Sequence, residues 1–143
     1  MLVRDVMNSD VKTIEPEDSV LDAAERMIEF RVGCLVIVKK EKLMGIITDS
    51  DILEKVVAED KKPSGVLVKQ VMTKKLVMIE DDKDISEAAE LMEKSHIKKL
   101  PVISEKSLVG ILTVADLAKA QPKLIEKISS LMIFPKSRKP VAG

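Results

Sequence analysis

Short apolar and polar blocks alternate along the chain, and the same series of blocks occurs twice. Residues 11–14 and 76–79 are apolar segments of strand length, and each precedes a stretch whose apolar residues recur with the period of a helix. Two more strand-like segments follow, separated by the polar turns KKEK and SEKS, and a second helical stretch ends each series. The pattern therefore predicts the order β-α-β-β-α, twice. The later strands are expected at residues 35–38, 43–48, 100–103 and 108–113, and the later helices at 49–58 and 114–120.

The first helix of each series has the same start signal. Ser19 stands three residues before Asp22, and Asp84 stands three residues before Glu87. In such a pair the first side chain accepts a hydrogen bond from the helix backbone, and the acid reaches back to the capping residue. The apolar positions of these two helices are Val20, Ala23, Ala24, Met27, Ile28, Ile85, Ala88, Ala89 and Met92.

The two series are a tandem duplication. Residues 3–53 align with 68–118 without a gap, and 15 of the 51 pairs are identical. The predicted domains are residues 1–58 and 67–120, joined by a polar linker at 59–66. Residues 121–143 add a helix that opens at Pro122 and end in a loose tail. Each repeat alone is a marginal domain, so we expect the two to pack together on a pseudo-two-fold axis.

Composition argues against several partners. The 24 basic residues balance the 24 acidic ones, which argues against a protein that binds the nucleic-acid backbone. Two Phe and no Trp or Tyr leave no platform for stacking single-stranded bases. No apolar run approaches the length of a membrane helix, and the polar start MLVRDVMNSD predicts no signal peptide. With a single cysteine, the expected compartment is the cytoplasm.

No catalytic or metal-binding constellation stands out. The chain has one histidine, His96, and one cysteine, Cys34, too few for a Cys/His metal site or a duplicated nucleophile–base pair. His96 is interpreted as a residue at a helix C-terminus, with a ligand contact as the alternative, and Cys34 as a small buried hydrophobe. We therefore predict a protein that is not an enzyme and requires no cofactor.

A motif that occurs in both repeats is more informative. GIITDSD (45–51) and GILTVAD (110–116) share the pattern Gly-apolar-apolar-Thr-x-x-Asp where a strand enters a helix. Thr48 and Thr113 can simply cap their helices. The same parts also suit a ligand, because a hydroxyl at a helix start can meet an anion and Asp51 or Asp116 can accept hydrogen bonds from a ribose diol. Both interpretations stay open, and they are compatible.

These features together resemble a tandem pair of CBS (cystathionine β-synthase-type) domains, the Bateman module. The resemblance rests on VRDVM (3–7) and VKQVM (68–72), the Ala-Ala-x-x-x-Met pattern of each first helix, LPVI at 100–103 and the two Thr-x-x-Asp segments. It covers residues 3 to about 120. It implies an α/β (α+β) fold of two β-α-β-β-α CBS units, clefts between the units that bind adenine nucleotides or S-adenosylmethionine, and a homodimer.

The resemblance also implies roles for individual residues. Thr48 and Thr113 would face phosphate, and Asp51 and Asp116 would take ribose hydroxyls. The segments that would hold adenine are Thr13, Ile14, Met78, Ile79, Val36, Ile37, Val38, Pro101, Val102 and Ile103. The cations placed toward phosphate would be Lys98, Lys99 and, in the first repeat, Arg31, unless these are solvated surface residues.

The predicted function is a regulatory module that senses an adenine nucleotide (AMP, ADP or ATP) and transmits a packing change to a separate partner protein. The alternatives are a ligand-independent dimerisation or protein-interaction module and an S-adenosylmethionine binder. With only two Phe and no Trp or Tyr, any adenine would be held by aliphatic residues and backbone, which predicts modest affinity.

Overall fold

The computed structural model describes residues 1–132 and divides the chain into two compact units. One unit is residues 10–76; the other combines residues 1–9 with the segment that begins at residue 77. The helices are α1 (Val3–Val6), α2 (Val20–Phe30), α3 (Asp49–Ile52), α4 (Val68–Val71), α5 (Ile85–Ser95), α6 (Val114–Ala120) and α7 (Ile125–Met132). The strands are β1 (Thr13–Ile14), β2 (Cys34–Lys39), β3 (Lys42–Thr48), β4 (Ile79–Glu80), β5 (Lys99–Ser104) and β6 (Ser107–Thr113). The mixed α+β class is confirmed.

The unit of residues 10–76 is built on the sheet β1-β2-β3, in which β1 is parallel and β3 antiparallel to β2. At the free edge of β3, Ile46 and Thr73 exchange both backbone hydrogen bonds, at 3.1 and 2.9 Å. This bridge brings the chain that follows α4 onto the sheet. The core of the unit is formed by Ile14, Val20, Ala23, Met27, Leu35, Ile37, Ile47, Val56, Val66, Val68 and Val71.

The second unit repeats this arrangement with the sheet β4-β5-β6. Asn8 and Ile111 exchange backbone hydrogen bonds, both at 2.9 Å, so the chain that follows α1 joins the edge of β6. Helix α7 packs against α5 and α6 and contributes Ile128 and Leu131 to the core. The other core residues are Val3, Ile79, Ile85, Ala88, Ala89, Met92, Leu100, Val102, Leu112, Val114, Leu117 and Leu124.

The predicted helix starts are confirmed in detail. The Asp22 N–H donates to Ser19 Oγ at 3.0 Å, and the Ser19 N–H donates to Asp22 Oδ2 at 3.3 Å. At α5 the Asp84 carboxylate accepts hydrogen bonds from the Ser86 backbone and hydroxyl, and these bonds lower the pKa of Asp84. Both helices end in a left-handed residue, Arg31 or His96.

Several expectations need correction. The chain from 49 to 58 is a short α-helix followed by a π-helical turn, Leu53–Val57, instead of one helix. Ile28 was an expected apolar helix position, yet it is 78% exposed, whereas Met27 is buried. Helices α1 and α4 were not predicted, since four residues are too few to show a helical period. Each repeat is therefore α-β-α-β-β-α.

The additional helix after the second repeat is confirmed. It begins with a 3-10 turn at Pro122–Leu124 and continues as α7. The tail predicted beyond it lies outside the described residues. In the part of the chain that is described, every helix falls short of the length and apolar character needed to cross a bilayer.

Candidate ligand-binding site

The two Thr-x-x-Asp motifs form the same hydrogen-bonded structure. Thr48 ends β3 and caps α3: its N–H donates to Asp51 Oδ2 at 3.0 Å, and the Asp51 N–H donates to Thr48 Oγ1 at 3.1 Å. The corresponding distances for Thr113 and Asp116 are 2.9 and 3.1 Å. The capping interpretation of both motifs is thus confirmed.

Capping leaves part of each motif available for a ligand. In each threonine the hydroxyl oxygen accepts the capping bond, so its O–H remains a donor. In each aspartate only Oδ2 is used by the cap, and an ionised carboxylate has about four acceptor positions. A hydroxyl donor and a carboxylate acceptor therefore stand one helical turn apart at each motif.

The two motifs differ at the second carboxylate oxygen. Lys55 Nζ lies 3.1 Å from Asp51 Oδ1 and also donates to the Val71 carbonyl at 2.9 Å. Asp51 is only 8% exposed. In the second motif the residue aligned with Lys55 is Ala120, and among residues 1–132 no hydrogen bond or ion pair reaches Asp116 Oδ1. Lys55 was not among the predicted site residues, although its i, i+4 spacing from Asp51 is a recognisable ion-pair signal.

The residues that flank the two motifs differ as well. Thr113 pairs with Lys99 across β5 and β6, and the carbonyl of Lys98 accepts the Val114 N–H at 2.9 Å. The backbone of both predicted lysines thus lies beside the second motif. At the first motif, Cys34 pairs with Thr48 and the Gly33 carbonyl accepts the Asp49 N–H. Arg31, the predicted substitute cation, is the exposed left-handed residue that ends α2.

The segments predicted to hold adenine lie side by side in each sheet. Thr13 and Ile14 pair with Val36 and Ile37 in one unit, and Ile79 pairs with Val102 in the other. Most of these side chains are buried and not available as ligand contacts: Ile14, Val36, Ile37, Ile79, Pro101 and Val102. The side chains with exposed surface are Thr13, Val38, Met78 and Ile103.

The remaining candidates are Cys34 and His96. Cys34 is buried, as predicted. His96 is exposed, and its backbone N–H donates to carbonyls of the last turn of α5. Among residues 1–132 no group of three His, Cys, Asp or Glu side chains could hold a metal ion.

Comparison with known proteins decides the family. The model of the CBS domain matches residues 3–58 and 68–123. The chain belongs to the CBS domain family. A pair of CBS domains is typically a regulatory module that binds a ligand.

Curated CBS-domain relatives match most of the chain. The CBS domain-containing protein YhcV of Bacillus subtilis is 32% identical over 116 residues, which cover 81% of this chain and 82% of YhcV. Hypoxic response protein 1 of Mycobacterium tuberculosis is 32% identical over 121 residues, covering 84% and 85% of the two chains.

Solved CBS-domain structures share the fold. The crystal structure of Hypoxic Response Protein I, which holds two coordinated zinc ions, has a TM-score of 0.75 at 32% identity and covers 85% of this chain and 100% of that one. The CBS domain protein TA0289 of Thermoplasma acidophilum has a TM-score of 0.83 at 26% identity and covers 92% of this chain and 76% of that one.

Proposed function

We propose that this CBS-domain protein is a regulatory module that binds an adenine nucleotide, AMP, ADP or ATP, and transmits a packing change to a separate protein. The observation that carries the proposal is the Thr–Asp pair, which is built in the same geometry at both motifs. Capping alone needs only one oxygen of each aspartate. The remaining carboxylate oxygen and the threonine O–H match the ribose hydroxyls and the phosphate of a nucleotide.

The other parts of a nucleotide find partners on neighbouring strands. Lys98 and Lys99 lie beside Thr113 and would offset phosphate charge. The exposed surface of Met78 and Ile103, with the backbone of β4 and β5, would contact adenine. Because the chain has only two aromatic residues, both Phe, we expect modest affinity without base stacking.

Regulation requires more than binding. A ligand shifts a conformational equilibrium only as far as its affinities for the two conformations differ. We propose that the regulated activity resides in a separate partner protein.

Titration calorimetry with AMP, ADP, ATP and S-adenosylmethionine tests the proposal. We expect at least one adenine nucleotide to bind and to raise the thermal unfolding midpoint as its concentration exceeds Kd. GTP serves as a control for the base. If only S-adenosylmethionine binds, the S-adenosylmethionine alternative replaces the proposal. If none of the four ligands gives heat or a thermal shift, the sensing function is wrong.

One observation favours the alternative of a dimerisation module. Four aliphatic side chains of the unit of residues 10–76, on α2 and on the π-helical turn, are exposed, and we call them together the apolar stripe: Leu21, Ile28, Leu53 and Val57. Leu21 and Ile28 lie seven residues apart on α2, hence on one helix face, and α2 packs against α3. The fold does not require apolar residues there, because the repeat has Ser86 and Glu93 at the two equivalent positions on α5. We propose that a second copy of this chain covers the stripe, forming a homodimer.

Replacing Ile28 by glutamate is expected to weaken self-association about tenfold or more, because it places a charge at the most exposed side chain of the stripe, which the second copy would bury. Sedimentation equilibrium of the wild type and of Ile28→Glu measures this effect. Glu93→Ala, at the equivalent exposed position of α5 in the other unit, is the matched control and should leave the dimer unchanged. A monomeric wild type, or a variant that dimerises as strongly as the wild type, would contradict the dimer.

A further inference from the structure

We infer that the two Thr–Asp motifs are not equivalent: Lys55 occupies the acceptor oxygen of Asp51, so a ribose-bearing ligand fills the Asp116 motif first. The inference rests on the proposed nucleotide binding and specifies which motif binds. The tandem duplication supplies an internal comparison, because the capping geometry is the same in both motifs and only the surrounding residues differ.

The first difference is steric and electrostatic competition at the carboxylate. Lys55 Nζ joins Asp51 Oδ1, at 3.1 Å, to the Val71 carbonyl, at 2.9 Å. A ribose hydroxyl that approached Asp51 Oδ1 would have to displace the ammonium group and leave the Val71 carbonyl without this bond. The Lys55 side chain is 43% exposed, so the ammonium can be displaced at moderate cost. Lys55 therefore weakens binding at this motif and does not abolish it.

The second difference is the sign of the charged residues that flank the two threonines, which is opposite at the two motifs. At the first motif, Asp49 stands directly after Thr48, whereas Val114 stands after Thr113. At the second motif, the strand opposite Thr113 starts with Lys98 and Lys99, whereas the first has uncharged residues at these positions. The residues next to the threonine are therefore acidic at the first motif and basic at the second, which favours a phosphate at the second. This difference is independent of Lys55 and favours the same motif.

Lys55 also connects the first motif to α4. Its acceptor Val71 is the last residue of that helix and belongs to the core of the same unit. A ligand that displaced Lys55 would break a hydrogen bond to the end of α4, while a ligand at Asp116 would break no corresponding bond, because Ala120 has no polar side-chain atom.

Calorimetric titration of residues 1–143 with ATP and with AMP tests the inference. For the wild type we expect one dominant site per chain. Asp116→Asn should weaken that site about tenfold or more, because the amide keeps the capping acceptor and removes the charge. Asp51→Asn should change the affinity less than about twofold. Unchanged thermal midpoints of the two variants without ligand would show that the caps are intact.

Two reciprocal variants examine Lys55 itself. Lys55→Ala should strengthen binding at the first motif about five- to tenfold, so that a second site becomes measurable. Ala120→Lys, which places the lysine at the aligned position of the second motif, should weaken the dominant site by a similar factor. Lys62→Ala, at an exposed position of the same unit, controls for the loss of one positive charge.

The possible failures can be told apart. Two equal sites in the wild type, or equal losses from Asp51→Asn and Asp116→Asn, would overturn the inference and leave nucleotide binding intact. Weaker binding in Lys55→Ala would also overturn it, because Lys55 would then be a ligand contact. Absence of binding in the wild type and in every variant would overturn both the inference and the proposed function.

Discussion

The Leu112→Ala variant is expected to lose about 2–5 kcal/mol of unfolding free energy, the range measured for deletion of a buried leucine. Leu112 lies on β6 and is fully buried in the core of the second unit. Its neighbours in that core belong to the sheet and to helices on separate parts of the chain, including Val3 of α1 and Leu117 of α6. Rigid surroundings of this kind close only partly around a cavity, which adds to the lost hydrophobic burial.

Urea unfolding followed by circular dichroism measures this loss. Ile47→Ala is the matched variant of the other unit, because Ile47 aligns with Leu112 and is equally buried. We expect a cost in the same range. Met44→Ala, at an exposed position of β3, should cost less than about 1 kcal/mol. A loss below about 1 kcal/mol for Leu112→Ala would contradict the assignment of this residue to the core.

Gly45→Ala is expected to cost about 1–3 kcal/mol, because the added methyl group has no room. A Cβ atom at Gly45 would lie 2.7 Å from the Thr73 carbonyl oxygen and 3.1 Å from Met72 Sδ. The nearer atom is backbone and belongs to the bridge between Ile46 and Thr73, so relief of the clash would disturb two hydrogen bonds. Thermal unfolding should show the loss as a lower midpoint.

The aligned glycine provides a graded comparison. At Gly110 the nearest atoms to an added Cβ are Met7 Sδ at 2.5 Å and Met7 Cγ at 2.9 Å, which belong to a flexible side chain. We therefore expect Gly110→Ala to cost less than Gly45→Ala. Gly65→Ala, where no atom lies within 4 Å, should be neutral or slightly stabilising. Equal stability of Gly45→Ala and Gly65→Ala would show that the close approach to Thr73 is absent in solution.

Much of this fold follows from local signals in the sequence. The alternation of apolar segments and polar turns located β2, β3, β5 and β6 to within one or two residues. The capping pairs at Ser19 and Asp84 located the helix starts, because the required hydrogen bonds span only three residues. Signals of this kind involve residues that are close together in the sequence, and the duplication repeats each of them.

Features that depend on tertiary packing were not predicted. Ile28 has the helical spacing of a core residue, but nothing in a single sequence shows which side of a helix meets a sheet. The bridges from Asn8 to β6 and from Thr73 to β3 join segments far apart in sequence. The contact of Lys55 with the Val71 carbonyl is also a tertiary contact.

The candidate site also combines features that the sequence predicts with features that depend on tertiary packing. The Thr-x-x-Asp motifs were identified by residue type and spacing, and their capping bonds are as expected. The uncharged Gly33 and Cys34 opposite Lys98 and Lys99 are visible in the sequence, but the role of Lys55 was not predicted, because Lys55 and Ala120 lie beyond the aligned residues 3–53 and 68–118. The non-identical pair Lys55 and Ala120 carries the information that separates the two motifs.

The division of the chain into units has a consequence for the order of folding. Residues 10–76 form one unit from a continuous stretch, and this unit stands between the two parts of the other. Val3 and Asn8 must therefore find Leu112 and Ile111 across an intervening stretch of chain, which adds a loop-closure entropy that the continuous unit does not have. During synthesis the continuous unit can close once residue 76 has left the ribosome. The other unit can be completed only after β6 has emerged, although residues 1–9, which pair with β6 through Asn8, are synthesised first.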